Sequence, residues 1–413
     1  MSREPVMIVT PTTGVPIYLD APPRARDRFT HEEITRLVAL RRELHRHPEL
    51  SWKEYATSDR LAAVAESLGA LSVTRVANTG VVARFKGRDP SAPVVAVRGD
   101  IDALPIQEET GLDYASAVPG VMHACGHDVH ATWAIGAAME LARRPARGDV
   151  LVVLQPAEEV GGGAPAILAS GALDGVAAIF GGHVDRRFEV GQVIAEAGPL
   201  AASADSFTIT LVGRGAHGAR PHESADAVVA AAAVITALQT IVARRLDPAA
   251  PAVCTVGSIH AGVASNVIPE RAILTGTLRA MDPNTRRRLG EEVRRLATQV
   301  GEAYGVKAEV VVELGTPPIV NPVREAEWAR AAATSVLGDG AVVPFGITNM
   351  GGEDFAFYME KIPGCFLRIG AREAGGEAVA AHSPRFHAAD GAIFVGAAVL
   401  AECARVASEA LSA

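Results

Sequence analysis

The densest group of reactive side chains in this 413-residue sequence is Met122-His123-Ala124-Cys125-Gly126-His127-Asp128, with His130 just beyond. A thiolate and an imidazole at Cys-x-His spacing suit a borderline cation such as zinc. Alone, such a pair is more often structural than metal-binding. Gln155-Pro156-Ala157-Glu158-Glu159 adds weight, because an apolar run ends there on two carboxylates. Adjacent side chains at a strand end point apart, so one can bind a cation while its neighbour faces substrate. A lone Glu-Glu is otherwise a solvated acidic turn. His183 follows the apolar run Ala177–Phe180, and His387 closes Ala381-His382-Ser383-Pro384-Arg385-Phe386-His387. Each alone reads as a surface or satisfied core histidine. With Cys125, His127 and Glu159 they make five candidate ligands, which suits two divalent ions sharing a bridging water.

Competing chemistries lack their motifs. The chain has no Gly-x-Ser-x-Gly elbow, no Gly-x-x-x-x-Gly-Lys phosphate loop and no His-Glu-x-x-His helix. Gly161–Gly163 lacks dinucleotide-fingerprint spacing and reads as a turn. Cys254, Cys365 and Cys403 are scattered in apolar surroundings, where they read as small core residues that need not pair.

Ligands so far apart in sequence need a scaffold that gathers distant loops. Spacing of Ile34, Leu37, Val38 and Leu40 predicts a helix from Glu32 to about Leu44, and Ser58–Leu68 predicts another, closed by Gly69. Strand-like runs then alternate with helical ones: Gly80–Phe85, Val94–Val97, a helix from His127 to Leu141, Val150–Leu154 and Ala177–Phe180. This is the pattern of an α/β sheet covered on both faces, where chemistry gathers at strand ends. Asp100 and Asp102, Glu158 and Glu159, and His183 all follow such runs.

From Gly198 to Glu313 the texture changes. Ser206–Val212, Ala252–Ile259, Ala272–Leu278 and Val306–Glu313 read as strands, and Ala225–Ala243 and Pro283–Tyr304 as helices. Strand–helix–strand–strand–helix–strand is a ferredoxin-like α+β unit. It interrupts the larger domain, whose pattern resumes at helix Ala326–Leu337, strand Cys365–Ile369 and helix Asp390–Ala410. The expected organisation is therefore an irregular arm over residues 1–30, a catalytic domain over 31–197 and 314–413, and an inserted domain over 198–313.

Composition excludes several partners. A formal net charge of -8 argues against nucleic acid, which is met by a basic footprint. No polybasic patch or h-region appears, and the runs Ala227–Leu238 and Gly391–Ala401 fall short of the roughly 20 residues that span a bilayer. The expectation is a cytoplasmic enzyme of small molecules.

An ordered set of motifs then carries a resemblance. Arg98-Gly99-Asp100-Ile101-Asp102-Ala103-Leu104-Pro105, His123–Asp128, Pro156–Glu159, Gly182-His183, Gly215-Ala216-His217 with Pro221, Ser265-Asn266-Val267-Ile268-Pro269, Gly276-Thr277-Leu278-Arg279 and Gly351-Gly352-Glu353-Asp354-Phe355 occur in that sequence. From about Glu32 to the C-terminus the chain closely resembles the aminoacylase/carboxypeptidase G clan of metallopeptidases, in the branch of hippurate and indole-acetyl-amino-acid hydrolases. The resemblance implies two divalent ions (zinc, manganese, cobalt or nickel) on Cys125, His127, Glu159, His183 and His387. It implies Glu158 as general base, Asp102 as the carboxylate orienting a ligand histidine, and His217 and Asn266 as lid residues reaching the partner subunit's active site. Arg279 would contact the substrate carboxylate, and Gly352 would offer a backbone contact. The inserted domain would be a lid that also forms a homodimer, with a tetramer as a further assembly. Asp100 departs from clan branches that carry a histidine there, and Val184-Asp185-Arg186-Arg187 departs from the more apolar stretch of many branch members.

The activity implied is hydrolysis of N-acyl amino acids, aliphatic or aromatic, by a metal-activated water. The alternatives are a dipeptidase or carboxypeptidase of the same clan, and a non-catalytic metal-binding relative. The last is disfavoured because every candidate catalytic position holds a competent residue type. A thiol redox sensor on Cys125 would want a resolving cysteine nearby, and the sequence offers none.

Overall fold

The structure, a computed structural model, describes residues 6–9 and 16–413. The chain divides into two compact units. One comprises Met1–Gly198, Asn321–Gly346 and Phe357–Ala413; the other comprises Pro199–Val320 and Ile347–Ala356.

The first unit is built on a seven-stranded sheet. From edge to edge its strands are Ser72–Val76, Gly80–Phe85, Val150–Gln155, Val94–Asp100, Val176–Glu189, Gly364–Arg372 and Val193–Ile194. The four from Val150–Gln155 to Gly364–Arg372 run parallel, and the outer pairings are antiparallel. Every residue of Val150–Gln155 is buried, although alternate side chains point to opposite faces, so the sheet is covered on both. Helix His127–Arg143 is buried over nearly its whole surface and packs against helix Gly391–Ala410. The close approach of helix and sheet requires Gly99, where a Cβ would stand 2.3 Å from the His130 carbonyl oxygen.

Helix His31–Arg46 starts with a capping box: Thr30 accepts from the Glu33 amide, and the Glu33 carboxylate accepts from the Thr30 amide. Its buried face carries Arg41 and His45 to Asp128, each 2.8 Å from Oδ2. That pairing anchors the first turn of helix His127–Arg143 from outside.

Two features depart from expectation. The strand expected to stop at Phe180 continues to Glu189, because Gly364–Arg372 pairs along it and carries it past Gly181-Gly182. Pairing on its other side, with Val94–Asp100, ends at the rung Val97↔Phe180. His183 thus lies within a strand, just beyond the last rung of its neighbour. The arm expected to be irregular holds an antiparallel pair, Val6–Val9 with Pro16–Leu19, rich in β-branched residues, and the short helix Pro23–Arg26. Residues 1–5 and 10–15 of that arm lie outside the described residues.

The second unit has a four-stranded antiparallel sheet, ordered Ala252–Ala261, Arg271–Ala280, Ala204–Val212 and Lys307–Thr316. Helices Ala227–Thr240 and Pro283–Ala303 cover one face, giving the ferredoxin-like order read from the sequence. Burial alternates strictly along Ala204–Val212, which turns Phe207, Ile209 and Leu211 onto Ala230, Val234, Leu289 and Val293. The return strand runs to Thr316, and residues 347–356 pack with this unit through the Gly351 carbonyl, which accepts from the Ala202 amide.

By length and composition alone, Ala227–Arg245 and Gly391–Ala410 are apolar enough to cross a membrane, more so than the shorter runs read from the sequence. Gly391–Ala410 is 83% buried over its apolar window, as a core helix is.

Candidate metal centre

The parallel strands deliver their loops to one place. Asp102 follows Val94–Asp100, Glu158 and Glu159 follow Val150–Gln155, and Cys125-Gly126 enters helix His127–Arg143. Gly126 has φ 88°, and a Cβ there would stand 2.5 Å from Val184 Cγ2, so the turn that presents Cys125 and His127 to strand Val176–Glu189 requires glycine.

Cys125 Sγ lies 3.1 Å from His183 Nε2. His183 Nδ1 is 2.7 Å from the Val184 carbonyl, and a carbonyl only accepts, so Nδ1 carries the proton and the Nε2 lone pair faces the thiol. His127 is pinned likewise: its Nδ1 donates to the Asp102 carbonyl at 2.9 Å, with the Asp102 carboxylate at 3.2 Å. His127 Nε2 is buried without a hydrogen-bond partner, 3.8 Å from a carboxylate oxygen of Asp100, of Glu158 and of Glu159. Glu159 Oε1 is also buried without one, while its Oε2 stands 3.4 Å from His382 Nε2. Asp102 ties the parts together, since its Oδ2 accepts from the Glu159 amide and the Ser51 hydroxyl.

Three overlapping groups result: Cys125, His127 and His183; Cys125, Glu159 and His382; and His127, Glu158 and Glu159. Within each, the ligand atoms lie within 4.8 Å of one another. Two donors on one zinc-sized ion stand at most roughly 4.6 Å apart, so these spacings need little contraction. The orphaned His127 Nε2 and Glu159 Oε1 are the atoms an ion would satisfy. The donor set of thiolate, imidazole and carboxylate matches a borderline divalent metal.

The electrostatics agree. Burial would lower the His127 pKa, but the Asp100 carboxylate, the Asp102 hydrogen bond and Cys125 carry it well above the usual imidazole value. Burial, helped by Glu159, pushes the Cys125 thiol well above its usual range. The cluster therefore holds a proton strongly where it could hold a cation instead.

His130 groups with Asp100 and His127 but is spoken for at both nitrogens. Nδ1 donates to Asp100 Oδ1 at 2.6 Å, and Nε2 accepts from the Val184 amide at 3.0 Å. Asp100, in turn, pairs with the buried Arg98. Asp100 is thus already committed to His130 and Arg98, although its Oδ1 stands 3.8 Å from His127 Nε2.

His123 is 2% exposed, and neither ring nitrogen has a hydrogen-bond partner. Burial pulls its pKa down to about 4. A folded value below the unfolded value of about 6.5 means the unfolded chain takes up the proton first, so stability falls as pH drops from about 6.5 to 4. This residue alone would cost up to about 3 kcal/mol over that window. His123→Leu should flatten the acid limb of a plot of unfolding free energy against pH. An unchanged slope would reject the assignment.

His387 does not join the cluster. Its Nε2 faces Glu373 Oε1 at 3.2 Å, and its carbonyl accepts from Arg186 at 2.8 Å. His382 groups with Cys125 and Glu159 instead, held by its amide on the Ala124 carbonyl at 2.8 Å with φ 66°. The turn closed by Phe386 amide on Ser383 carbonyl, with Phe386 buried, swings His387 away. Both histidines share one loop, and spacing alone does not choose between them. Ser51 was also missed, since only contact with Asp102 singles it out.

The second unit holds the remaining expected residues. His217 and Asn266 come together where Ala216–His217 pairs with Val267–Ile268, and the Asn266 carbonyl accepts from the Gly218 amide. Arg279 is half-buried on Arg271–Ala280, 3.0 Å from the Leu278 carbonyl. At Gly352 a Cβ would stand 2.8 Å from Thr316 Oγ1 and 3.0 Å from Ala204 Cβ, so a side chain there would need its neighbours to shift.

Comparison with known proteins places this arrangement. A model described as peptidase family M20/M25/M40 matches residues 96–406. The N-acetylcysteine deacetylase of Bacillus subtilis is 40% identical over 91% of this chain and 98% of that protein. Thermostable carboxypeptidase 1 of Saccharolobus solfataricus is 35% identical over 85% of this chain and 90% of its own length. A crystal structure of a B. subtilis protein, described as a dinuclear metal binding peptidase from the M20 family, superposes with TM-score 0.82 at 37% identity, covering 92% of this chain and 99% of the other. The chain is a hydrolase belonging to peptidase family M20/M25/M40.

Proposed function

We propose that this hydrolase cleaves the amide bond of N-acyl amino acids, using two divalent ions held by Cys125, His127, Glu159, His183 and His382. The observation that carries the reading is the pair of buried, partnerless atoms, His127 Nε2 and Glu159 Oε1, inside a ring of thiol, imidazole and carboxylate donors. When bound, such ions lower the proton affinity of a water and polarise the scissile carbonyl. Zinc, manganese, cobalt and nickel all accept this donor set.

The chain's own groups divide the remaining work. Asp102 fixes the His127 ring through Nδ1 and keeps Nε2 on the site. Glu158, about 10% exposed with Oε2 3.8 Å from His127 Nε2, takes the water's proton and returns it to the leaving amine. His217 and Asn266, on the second unit, serve the partner subunit's active site in this reading, where His217 stabilises charge on the carbonyl oxygen in the manner of an oxyanion hole. The Arg279 guanidinium grips the free carboxylate of the amino acid, which a planar fork does well. The main-chain groups of Gly352, where a side chain would crowd Thr316, meet the substrate.

Support for an acylated substrate comes from the similarity to a deacetylase over nearly the whole chain. The similarity to a carboxypeptidase favours a second reading, cleavage of unblocked peptides. A panel of N-acetyl and N-benzoyl amino acids and unblocked dipeptides, run on protein with its metal quantified, separates them. The acylated substrates should give kcat/KM at least about tenfold higher, because an unblocked dipeptide must desolvate a charged α-ammonium to enter a site suited to a neutral acyl group. Preference for the dipeptides would replace this reading by the second. The same preparation should sediment as a homodimer, the assembly we propose for the ferredoxin-like unit, and the enzyme is proposed to work in the cytoplasm.

A further inference from the structure

Among the described residues, five that are not glycine have positive φ: Trp52, Ala77, Asn78, Ala157 and His382. An L-residue takes that conformation when its surroundings impose it. His382 belongs to the candidate metal centre. The other four surround one buried side chain, Glu54, which is 0% exposed. Trp52 lies two residues before it, and the Trp52 carbonyl accepts from Asn78 Nδ2 at 3.2 Å. Ala77 and Asn78 form the turn that aims Thr79, whose hydroxyl donates to Glu54 Oε2 at 2.6 Å. Glu54 Oε1 accepts directly from the amide of Ala157 at 2.9 Å.

Ala157 is where the chain leaves strand Val150–Gln155 and turns into Glu158 and Glu159. Its φ of 51° redirects the backbone so that the Glu159 amide reaches Asp102 Oδ2 instead of continuing along the strand. The turn is closed behind it, since the Ala157 carbonyl accepts from both Gly162 and Gly163 amides at 3.2 Å. The fit there is so close that a Cβ on Gly163 would stand 1.7 Å from the Pro156 carbonyl oxygen. The Glu54 carboxylate thus holds the amide of the one strained residue that sets the direction of both carboxylates.

We propose that Glu54 is a positioning residue for the hydrolytic site. By holding Ala157 in its left-handed conformation it places Glu158 and Glu159 together, and so acts on proton transfer and on ion binding at once. This rests on the reading of Glu158 and Glu159 given under the proposed function. The buried carboxylate accepts from a hydroxyl and an amide and lies one residue away from the reacting groups, so it touches neither substrate nor ion.

The test compares Glu54→Ala, Glu54→Gln, Ala157→Gly and the double variant Glu54→Ala/Ala157→Gly. Zinc affinity is measured by chelator competition without substrate, and kcat and KM on the best substrate of the panel. Glu54→Ala should weaken zinc binding by about tenfold to 100-fold, the usual effect of losing a group that orients a ligand. Its kcat should fall by a similar factor while KM moves by less than about threefold, as when an interaction made in the transition state is lost. Glycine adopts positive φ without strain, so Ala157→Gly in the Glu54→Ala background should recover most of both losses. Glu54→Gln keeps one oxygen for the Ala157 amide and should lie between wild type and Glu54→Ala. If Glu54→Ala does not fold, Glu54→Gln with and without Ala157→Gly makes the same comparison. Zinc affinity and kcat within about twofold of wild type, or losses that Ala157→Gly leaves untouched, would overturn the proposal. An active Glu158→Gln enzyme would instead overturn the functional reading, and the zinc measurements would still decide the role of Glu54.

Discussion

Glu158→Gln should lower kcat by about 10³-fold, within the range that a positioned general base contributes, while both ions stay bound. Glutamine matches glutamate in size, so the loop from Pro156 to Gly163 keeps its hydrogen bonds and Glu159 keeps its place. What is lost is the basic oxygen 3.8 Å from His127 Nε2. Because the same group takes the proton from water and returns it to the amine, no second residue inherits half the task. KM should change little, since Glu158 is not asked to hold the substrate. The measurement is steady-state kinetics on protein whose metal content is determined in the same sample. Activity within tenfold of wild type at full metal content would sink the assignment of Glu158.

The second large effect separates two histidines of one loop. His382→Ala should weaken metal binding by at least about 100-fold, since loss of a group that merely orients a ligand already costs 10- to 100-fold. His387→Ala should leave it within about twofold, as for a substitution away from the site. The contrast follows from geometry: His382 Nε2 stands 3.4 Å from Glu159, whereas His387 Nε2 is engaged with Glu373. Glu373 is held down to about 2: burial would raise it, but His387 and Arg186 outweigh that. An anionic partner so firmly ionised keeps His387 where it is. Chelator competition on both variants decides the matter, and the reverse ranking would restore His387 to the ligand set.

Much of this arrangement was legible in the sequence, and the rest was hidden for identifiable reasons. The ferredoxin-like unit was readable because its strands bury one face, so alternation along Ser206–Val212 and Ala272–Leu278 marks them directly. That Cys125, His127 and Glu159 gather was readable because His127 begins a helix, Cys125 stands at Cys-x-His spacing before it, and Glu159 follows an apolar strand. The length of Val176–Glu189 was not, since Gly181-Gly182 reads as a break and only pairing with a strand far along the chain sustains it. The choice of His382 over His387 depended on one backbone hydrogen bond, to the Ala124 carbonyl. Glu54 was invisible for a similar reason: a glutamate at the start of a helix looks solvated until the fold buries it.

The main chain of Val184 is gripped on both sides, its amide by His130 and its carbonyl by His183. Behind His130 stand Asp100 and Arg98, on the strand next in the sheet. The orientation of the His183 ring is therefore inherited from the main chain, and it is settled when the strands register. For the proposed centre, the entropy of fixing that ring is spent in folding rather than in ion binding. An ion entering such a preformed cradle need not reorganise the protein. One metal can then replace another by exchange at the surface of a standing fold, on terms set by its own coordination preferences and its supply.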